Sequence, residues 1–279
     1  MALTPAQARA HLLSVMARVV AVYTDAYVAG GQTRRKPARK QKPRPEVAAV
    51  ARYERRLADD YREWADDLAA QLADDPDNAD ELIAAALLAL LLLLRRRGQE
   101  NLPGAVELAL SRAGLPTATA AMLERLAAAI ARNDEYLTNS LLPAIGERLR
   151  EMLASGEWAL MKLEGAAEIA GMVGAALGGF LARVGLYAGE WWHLFNESVG
   201  EAARANNSGV MAHLDPAAAN SHCIECPQFH DEGGRFYESI DDYLNATSSR
   251  LPGDYLCKSN CRCWLEVVEN DGERQTIVP

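Results

Sequence analysis

Cysteine is missing from most of this chain, and aromatic residues are few throughout it. No cysteine occurs before Cys223 in a chain of 279 residues, and phenylalanine, tryptophan and tyrosine together make up 6%. Alanine and leucine dominate an apolar fraction of 49%. This composition is typical of a helical protein and argues against a sheet-rich fold. The length suffices for one large or two small domains with a sizeable core.

The chain also lacks the marks of a secreted protein. Its start, MALTPAQARAHLLSVMARVV, has no basic segment followed by an apolar run, so we expect no signal peptide. A formal net charge of −9 argues against a general nucleic-acid binder as the description of the whole chain. We therefore expect a reducing cytoplasm, where clustered cysteines hold a metal more often than they form disulfides.

Long apolar runs are restricted to two segments. Leu82–Leu94 is shorter than the roughly 20 residues that a membrane-spanning helix needs, and it predicts a buried core helix. Ile169–Gly189 is long enough, but Arg183 and many glycines disfavour a membrane span there. Its small residues favour tight packing between helices. We therefore do not expect a membrane partner.

Changes in composition divide the chain into four predicted parts. Residues 1–33 form an N-terminal helix, and residues 34–45 form a basic, proline-rich linker. Residues 46–206 form an elongated body of several helices. Residues 207–279 are richer in glycine, proline and aromatic residues and form a small α+β module. The predicted fold class is therefore mainly α, with this module at its C-terminal end.

The helical body has a clear apolar periodicity at its start. The residues that share one predicted helix face are Val50, Leu57, Tyr61, Trp64, Leu68 and Leu72. Further along, we expect a kink at Pro143 and a break between Tyr187 and Glu190. The aromatic segment EWWHLF, Glu190–Phe195, is typical of core or inter-helix packing, with a docking face as the alternative.

The predicted linker is a run of positive charge in an acidic protein. It contains seven basic residues, namely Arg34, Arg35, Lys36, Arg39, Lys40, Lys42 and Arg44. Prolines keep such a segment extended, so it can lie along double-stranded DNA and neutralise phosphates. The alternative is a solvated tether between two helices.

The cysteines of the C-terminal module have the spacing of a metal site. Cys223 and Cys226 are separated by two residues, which aims two thiolates at one point. The remaining cysteines are Cys257, Cys261 and Cys263. Four of the five would complete a tetrahedral Zn²⁺ site, and either Cys261 or Cys263 can supply the fourth sulfur beside Cys257.

Nearby side chains leave two questions about this site open. His222 and His230 are close enough in sequence to replace a sulfur. Glu225, Asp231 and Glu232 are carboxylates that could serve a catalytic zinc as a base, but their spacing matches no hydrolase or deaminase signature. A module of this size has few apolar residues, so a structural zinc that contributes folding free energy is favoured over a catalytic metal, disulfides or free thiols.

The C-terminal segments resemble a known family of proteins. A helical run ending in ARANNSGVMAH precedes HCIECPQFHDEGGRFY and LPGDYLCKSNCRCW. This order resembles the C-terminal domain of phage minor head proteins, the head morphogenesis proteins of the phage Mu type. The matching positions are Cys223, Cys226, Gly233 or Gly234 with Phe236, and Cys261-Arg262-Cys263. The chain departs from the family at Cys257, where a histidine is common, and in a longer loop between the two halves.

The resemblance covers about the last third of the chain and implies a function. It implies a structural protein rather than an enzyme, present inside the virion head near the portal after assembly in the host cytoplasm. Its partners would be the portal protein and other capsid or scaffold proteins, with double-stranded DNA contacted through the basic arm. The alternatives are a zinc-ribbon-type adaptor that binds protein or nucleic acid, and a zinc-dependent hydrolase or nuclease.

Overall fold

A computed structural model describes residues 44–214, 226–231, 233–252 and 263–268. These residues are mostly helical and include a small three-stranded antiparallel sheet, which confirms the mainly α prediction. They belong to one compact unit that begins at Arg44. The predicted N-terminal helix, most of the linker and much of the cysteine-bearing sequence lie outside the described residues.

Eight helices precede the sheet in the described part of the chain. They are α1 (Pro45–Asp74), α2 (Ala79–Asn101), α3 (Pro103–Ala113), α4 (Ala120–Tyr136), α5 (Leu142–Leu153), α6 (Gly156–Glu164), α7 (Ala166–Leu177) and α8 (Leu181–Asn206). Short non-α turns at Pro76–Asn78, Leu137–Leu141 and Gly178–Phe180 connect some of them. The later elements are β1 (Gly209–His213), α9 (Cys226–Phe229), β2 (Arg235–Tyr237), α10 (Ile240–Ala246) and β3 (Trp264–Val268).

Helix α1 forms one wall of the core, packing against α2, α7 and α8. Its predicted apolar face is confirmed, because all six of its residues are buried. Polar atoms on this face also have partners. The Tyr61 hydroxyl donates to the carbonyl of Leu177 over 2.9 Å, and Trp64 Nε1 donates to the carbonyl of Ala86 over 2.8 Å. These hydrogen bonds link α1 to α7 and to α2.

One predicted break in the helical body differs from the structure, and the kink predicted at Pro143 stays a prediction. Pro143 lies in the first turn of α5, directly after a π-helical turn at Leu137–Leu141. Its missing N–H is harmless at that position. Helix α8 runs without interruption from Tyr187 through Glu190, although Gly189 is a poor helix former. Tyr187 and Trp191, on either side of this glycine, are buried, and their burial outweighs the tendency of glycine to interrupt a helix.

The two long apolar segments both form helices. The segment Leu82–Leu94 lies within α2, with Ile83, Leu90 and Leu94 buried and Leu88 and Leu92 each 57% exposed. Within the described ranges, one helical run is long and apolar enough to cross a membrane by length and composition alone: Ala166–Asn206, whose most apolar window is 28% buried. Core helices of soluble proteins meet the same criterion.

The sheet has the order β2-β1-β3, with antiparallel pairing on both sides of β1. His213 pairs with Trp264, and Ala212 pairs with Leu265. Because side chains alternate along a strand, these two pairs face opposite sides of the sheet. Val210, Ala212 and Leu265 are buried and belong to the same apolar core as the helices.

The sheet is joined closely to helix α8. This helix ends at Asn206, one residue before the predicted boundary near residue 207, and Asn207 takes a left-handed conformation with φ 52°. The fully buried side chain of Asn196 accepts a hydrogen bond from Leu265 N over 2.8 Å and donates to the carbonyl of Trp192 over 2.9 Å. The helical body and the described part of the C-terminal module therefore share one core.

Candidate functional site at the cysteine cluster and the Arg44 cluster

Two of the five candidate metal ligands lie together in the structure. Cys226 and Cys263 are each 1% exposed and form one small buried cluster, with Leu214 and Phe229 packed against it. We call these four residues the cysteine cluster. The other candidates, Cys223, Cys257 and Cys261, lie outside the described residues. One sulfur from each half of the predicted site is thus buried in the same place.

Each of the two cysteines is held by its backbone. Trp192 Nε1 donates to the carbonyl of Cys263 over 2.8 Å, which fixes the start of β3 against α8. Cys226 begins α9, and its carbonyl accepts from the backbone N–H of His230 over 3.0 Å. The thiols are therefore carried by segments that hydrogen bonds anchor on both sides of the cluster.

His230 has a structural role beside this cluster. Its side chain is buried, with Nδ1 3.0 Å from the carbonyl of Cys226 and Nε2 3.2 Å from the Tyr243 hydroxyl. A carbonyl can only accept, so Nδ1 carries a proton and, in the neutral ring, Nε2 accepts from the tyrosine. Both ring nitrogens are therefore engaged, which favours cysteine sulfur over His230 as a metal ligand. His222 lies outside the described residues.

The carboxylates considered for catalysis are mostly beyond what the structure describes. Glu225 and Glu232 lie outside the described residues, whereas Asp231 is exposed. The Asp231 side chain accepts from Gly233 N over 3.1 Å, and its carbonyl accepts from Leu214 N over 2.8 Å. Asp231 thus shapes the turn before β2. Among the described residues, no three His, Cys, Asp or Glu side chains are placed to hold a metal ion.

A second cluster of polar side chains lies beside β3, around the start of α1. Glu46 is 3% exposed, and its carboxylate lies 3.1 Å from Arg44 Nη1 and 2.8 Å from Arg112 Nη2. Arg44 Cζ lies 3.0 Å from the centre of the Trp264 ring, a cation–π contact. We call Arg44, Glu46, Arg112 and Trp264 the Arg44 cluster. It joins the first described residue of the chain to strand β3.

A histidine–glutamate pair continues this cluster along the sheet. The ring of His213 stacks on Trp264 with 4.5 Å between ring centres, and its Nε2 lies 2.9 Å from Glu266 Oε2. The hydrogen bond from His213 lowers the pKa of Glu266 below its ordinary value. A cavity of about 230 Å³ lies among these side chains, and charged groups of both signs line it.

The structure therefore places one of the seven candidate DNA-binding residues. Arg44 is about one-third exposed, and its guanidinium contacts Glu46 and Trp264. The remaining candidates, Arg34, Arg35, Lys36, Arg39, Lys40 and Lys42, lie outside the described residues. DNA contact by the arm stays a prediction.

No local sequence pattern predicts several members of these clusters. Glu46, His213 and Glu266 are isolated residues whose importance depends on contacts between distant segments. By contrast, the core interpretation of EWWHLF is confirmed, because Trp191, Trp192 and Phe195 are buried and their rings pack together.

Comparison with known proteins identifies no relative of this chain. No protein-family model, curated protein or solved structure matches the chain. The resemblance to phage minor head proteins therefore depends on the cysteine-bearing segments.

Proposed function

We propose that this chain is a structural protein of a phage head, of the head morphogenesis type. In this proposal it acts inside the head near the portal, where it assists head assembly and the packaging or delivery of DNA. Its C-terminal module is stapled by one structural Zn²⁺. The observation that carries the proposal is the burial of Cys226 and Cys263 in one cluster.

The donor set of the cysteine cluster suits a zinc staple. Cys226 belongs to the Cys-x-x-Cys half of the predicted site and Cys263 to the Cys-Arg-Cys half. Thiolate sulfur is a preferred ligand for Zn²⁺, and a buried, apolar surrounding is common around structural sites. Cys223, Cys226, Cys257 and Cys263 would hold the metal. It would supply folding free energy to the module and no chemistry of its own.

We choose Cys263 over Cys261 as the fourth ligand because Cys263 is buried beside Cys226, whereas Cys261 lies outside the described residues. Cys263 is buried in the same cluster as Cys226 and is anchored to α8 by Trp192. Cys261 and Cys263 are two residues apart, so both can approach one side of an extended segment. Cys261 therefore serves as the natural control position.

A structural rather than catalytic role is supported by how the polar side chains are used. His230 and Asp231 hold backbone segments through hydrogen bonds. Glu46 is enclosed by two arginines. His230 and Asp231 thus stabilise segments of the C-terminal module, and Glu46 stabilises the start of α1 beside β3.

Elemental analysis of the purified protein tests the zinc staple. We expect one zinc per chain, lost in Cys226→Ser and Cys263→Ser and retained in Cys261→Ser. Proteases should then cleave the first two variants within the C-terminal module faster than they cleave the parent protein. Five reactive thiols and no metal in the folded protein would refute the staple.

A second experiment tests the virion role separately. The intact chain would be co-expressed with portal, scaffold and capsid proteins of a tailed phage, and assembled heads would be purified by sedimentation. We expect the chain to sediment with the heads in a few copies each. Its recovery only in the soluble fraction, with zinc bound, would favour the adaptor alternative over the head protein.

A further inference from the structure

Helix α2 exposes an apolar face to solvent. The exposed residues of this helix between Glu81 and Arg96 are all alanine or leucine, namely Ala84, Ala85, Leu88, Ala89 and Leu92. We call these five residues the α2 face. Leu88 and Leu92 are each 57% exposed. A single exposed leucine is ordinary in a soluble protein, whereas a continuous apolar patch usually marks an interaction surface.

The opposite side of α2 already belongs to the core of the protein. Ile83, Leu90 and Leu94 are buried on that side, and α2 packs against α1, α4 and α5. Residues three, four and seven apart share one side of a helix, so Leu88 and Leu92 lie along one line that points away from this core. The part of the chain that the structure describes therefore leaves the α2 face open to a partner.

Charges of opposite sign lie at the two ends of the α2 face. Asp80 and Glu81, at the N-terminal end, are both exposed. Arg96, at the C-terminal end, has a side chain that is 67% exposed and lies 2.8 Å from Glu100. Glu100 also pairs with Arg97 over 2.9 Å, so Arg96 can leave this exposed pair at little cost. The α2 face thus has an acidic end and a basic end.

We infer that the α2 face binds the α2 face of a second copy of this chain, in an antiparallel helix pair with two-fold symmetry. An axis between Leu88 and Leu92 puts Leu88 of each copy opposite Leu92 of the other. Because an α-helix rises 1.5 Å per residue, Arg96 of each copy then lies within about one turn of Glu81 of the other. The charges at the ends of α2 therefore favour a second copy in this orientation, since a parallel pair would bring like charges together.

The strength of this pair follows from its size. Ala85 and Ala89 beside the leucines allow the two helix backbones to approach closely. One helix on each copy nevertheless offers less area than the roughly 1,200–2,000 Å² of a standard stable interface. We therefore expect a reversible dimer that dissociates on dilution. This pairing is independent of the zinc staple and of the proposed virion role.

Sedimentation equilibrium of the full chain at several concentrations tests the pairing, with a reducing agent present to prevent disulfide-linked dimers. Leu88→Gln should weaken the dimer at least about tenfold, because a buried leucine is lost from both copies. Leu123→Gln is the matched control, since Leu123 lies on α4, outside the α2 face, and is 55% exposed. It should leave the dimer unchanged. All substituted positions are exposed, so circular dichroism should show the helix content of the parent protein in each variant.

Two charge reversals test the antiparallel orientation. Glu81→Arg places like charge opposite Arg96, and Arg96→Glu places like charge opposite Glu81, so each variant alone should dimerise more weakly than the parent protein. An equimolar mixture of the two restores opposite charges at both ends, so its average mass should exceed that of either variant at the same total concentration.

Four results would each overturn the inference. They are a monomer at every concentration, equal effects of Leu88→Gln and Leu123→Gln, charge-reversed variants that dimerise as well as the parent protein, and a mixture no heavier than its components. The first of these would leave the α2 face to another occupant, such as a membrane surface or a different protein.

Discussion

Arg44 packs its guanidinium on the indole of Trp264, with 3.0 Å between Cζ and the ring centre. The contact joins the residue before the first described helix to the first residue of the last described strand. It also joins the two segments to which the sequence assigned separate functions, the basic arm and the metal module. Trp264 directly follows Cys263, so the same strand start serves both clusters.

Removing the Trp264 ring should destabilise the described unit substantially. Trp264 is 9% exposed and belongs to the common core, so Trp264→Ala creates a cavity and removes the surface on which Arg44 and His213 pack. We expect a loss of about 3–5 kcal/mol in the free energy of unfolding. Urea denaturation followed by circular dichroism measures this loss.

Trp264→Phe is the matched control for that change. It keeps an aromatic face for the cation–π contact and part of the buried volume. We expect it to recover at least half of the stability that Trp264→Ala loses. If the two variants are equally stable, the aromatic contact with Arg44 contributes little and the strand start is held mainly by Trp192.

The sequence predicted much of this fold because its signals were periodic. Helix α1 was recognisable from apolar residues at helical spacing, and these positions are buried. Helix α3 begins at Pro103 and is followed by Gly114, in agreement with the preference of proline for the first turn of a helix and of glycine for the position after its end. Strand β3 has the sequence WLEVV, whose apolar and β-branched residues favour a strand.

The rest depended on contacts that no local pattern encodes. Gly189 favours a helix break by itself, but the buried aromatic residues around it keep α8 continuous. Arg44 belongs to a charge run by sequence, but in the structure it pairs with the buried carboxylate of Glu46. The burial of Cys226 with Cys263 also requires the sheet register, since β1 lies between β2 and β3.

Acid should weaken the contact between His213 and Glu266. The hydrogen bond from His213 lowers the pKa of Glu266 in the folded protein below its ordinary value of 4.5. A group whose pKa is lowered by folding stabilises the protein above its unfolded pKa and loses that contribution as pH falls through the folded pKa. The loss attributable to this group therefore begins near pH 4.5 and continues below it.

The variant Glu266→Gln isolates the contribution of this carboxylate to the loss of stability in acid. Across the same acid range, the unfolding free energy of the variant should fall less steeply than that of the parent protein. Glu124→Gln, at an exposed position of α4, provides a control for the loss of one carboxylate. Parallel curves for the parent and Glu266→Gln would show that the pair does not contribute to acid stability.

The seven candidate DNA-binding residues should separate into two groups. Replacing Arg34, Arg35, Lys36, Arg39, Lys40 and Lys42 by glutamine should flatten the salt dependence of DNA binding. The slope of log K against log salt should fall by about 0.9 for each phosphate contact that is lost. Fluorescence anisotropy with a labelled duplex at several salt concentrations measures it.

Arg44→Gln should behave differently from those six substitutions. It removes a partner of the buried Glu46 carboxylate and the cation on Trp264, so we expect lower stability and an almost unchanged salt slope. A slope change as large as one full phosphate contact, with stability unchanged, would assign Arg44 to the DNA-binding arm.

Two helical glycines should respond in opposite directions to the same substitution. A Cβ at Gly98 would lie 2.7 Å from the Tyr187 hydroxyl oxygen, whereas a Cβ at Gly174 meets no atom within 4 Å among the described residues. Alanine stabilises a helix interior by about 0.5–1 kcal/mol relative to glycine, which is the whole expected effect at Gly174. At Gly98 the displaced tyrosine costs about 1–3 kcal/mol, so the clash outweighs the gain.

The Tyr187→Phe background tests whether the hydroxyl causes that loss. Tyr187→Phe removes the oxygen that the new methyl group meets, together with the hydrogen bond to the carbonyl of Leu94. In this background Gly98→Ala should lose most of its destabilising effect, while Gly174→Ala should stay stabilising. Thermal unfolding of the four variants measures the coupling between Gly98 and Tyr187 directly. An undiminished penalty at Gly98 would mean that the aromatic ring, and not its hydroxyl, limits how closely α2 and α8 approach.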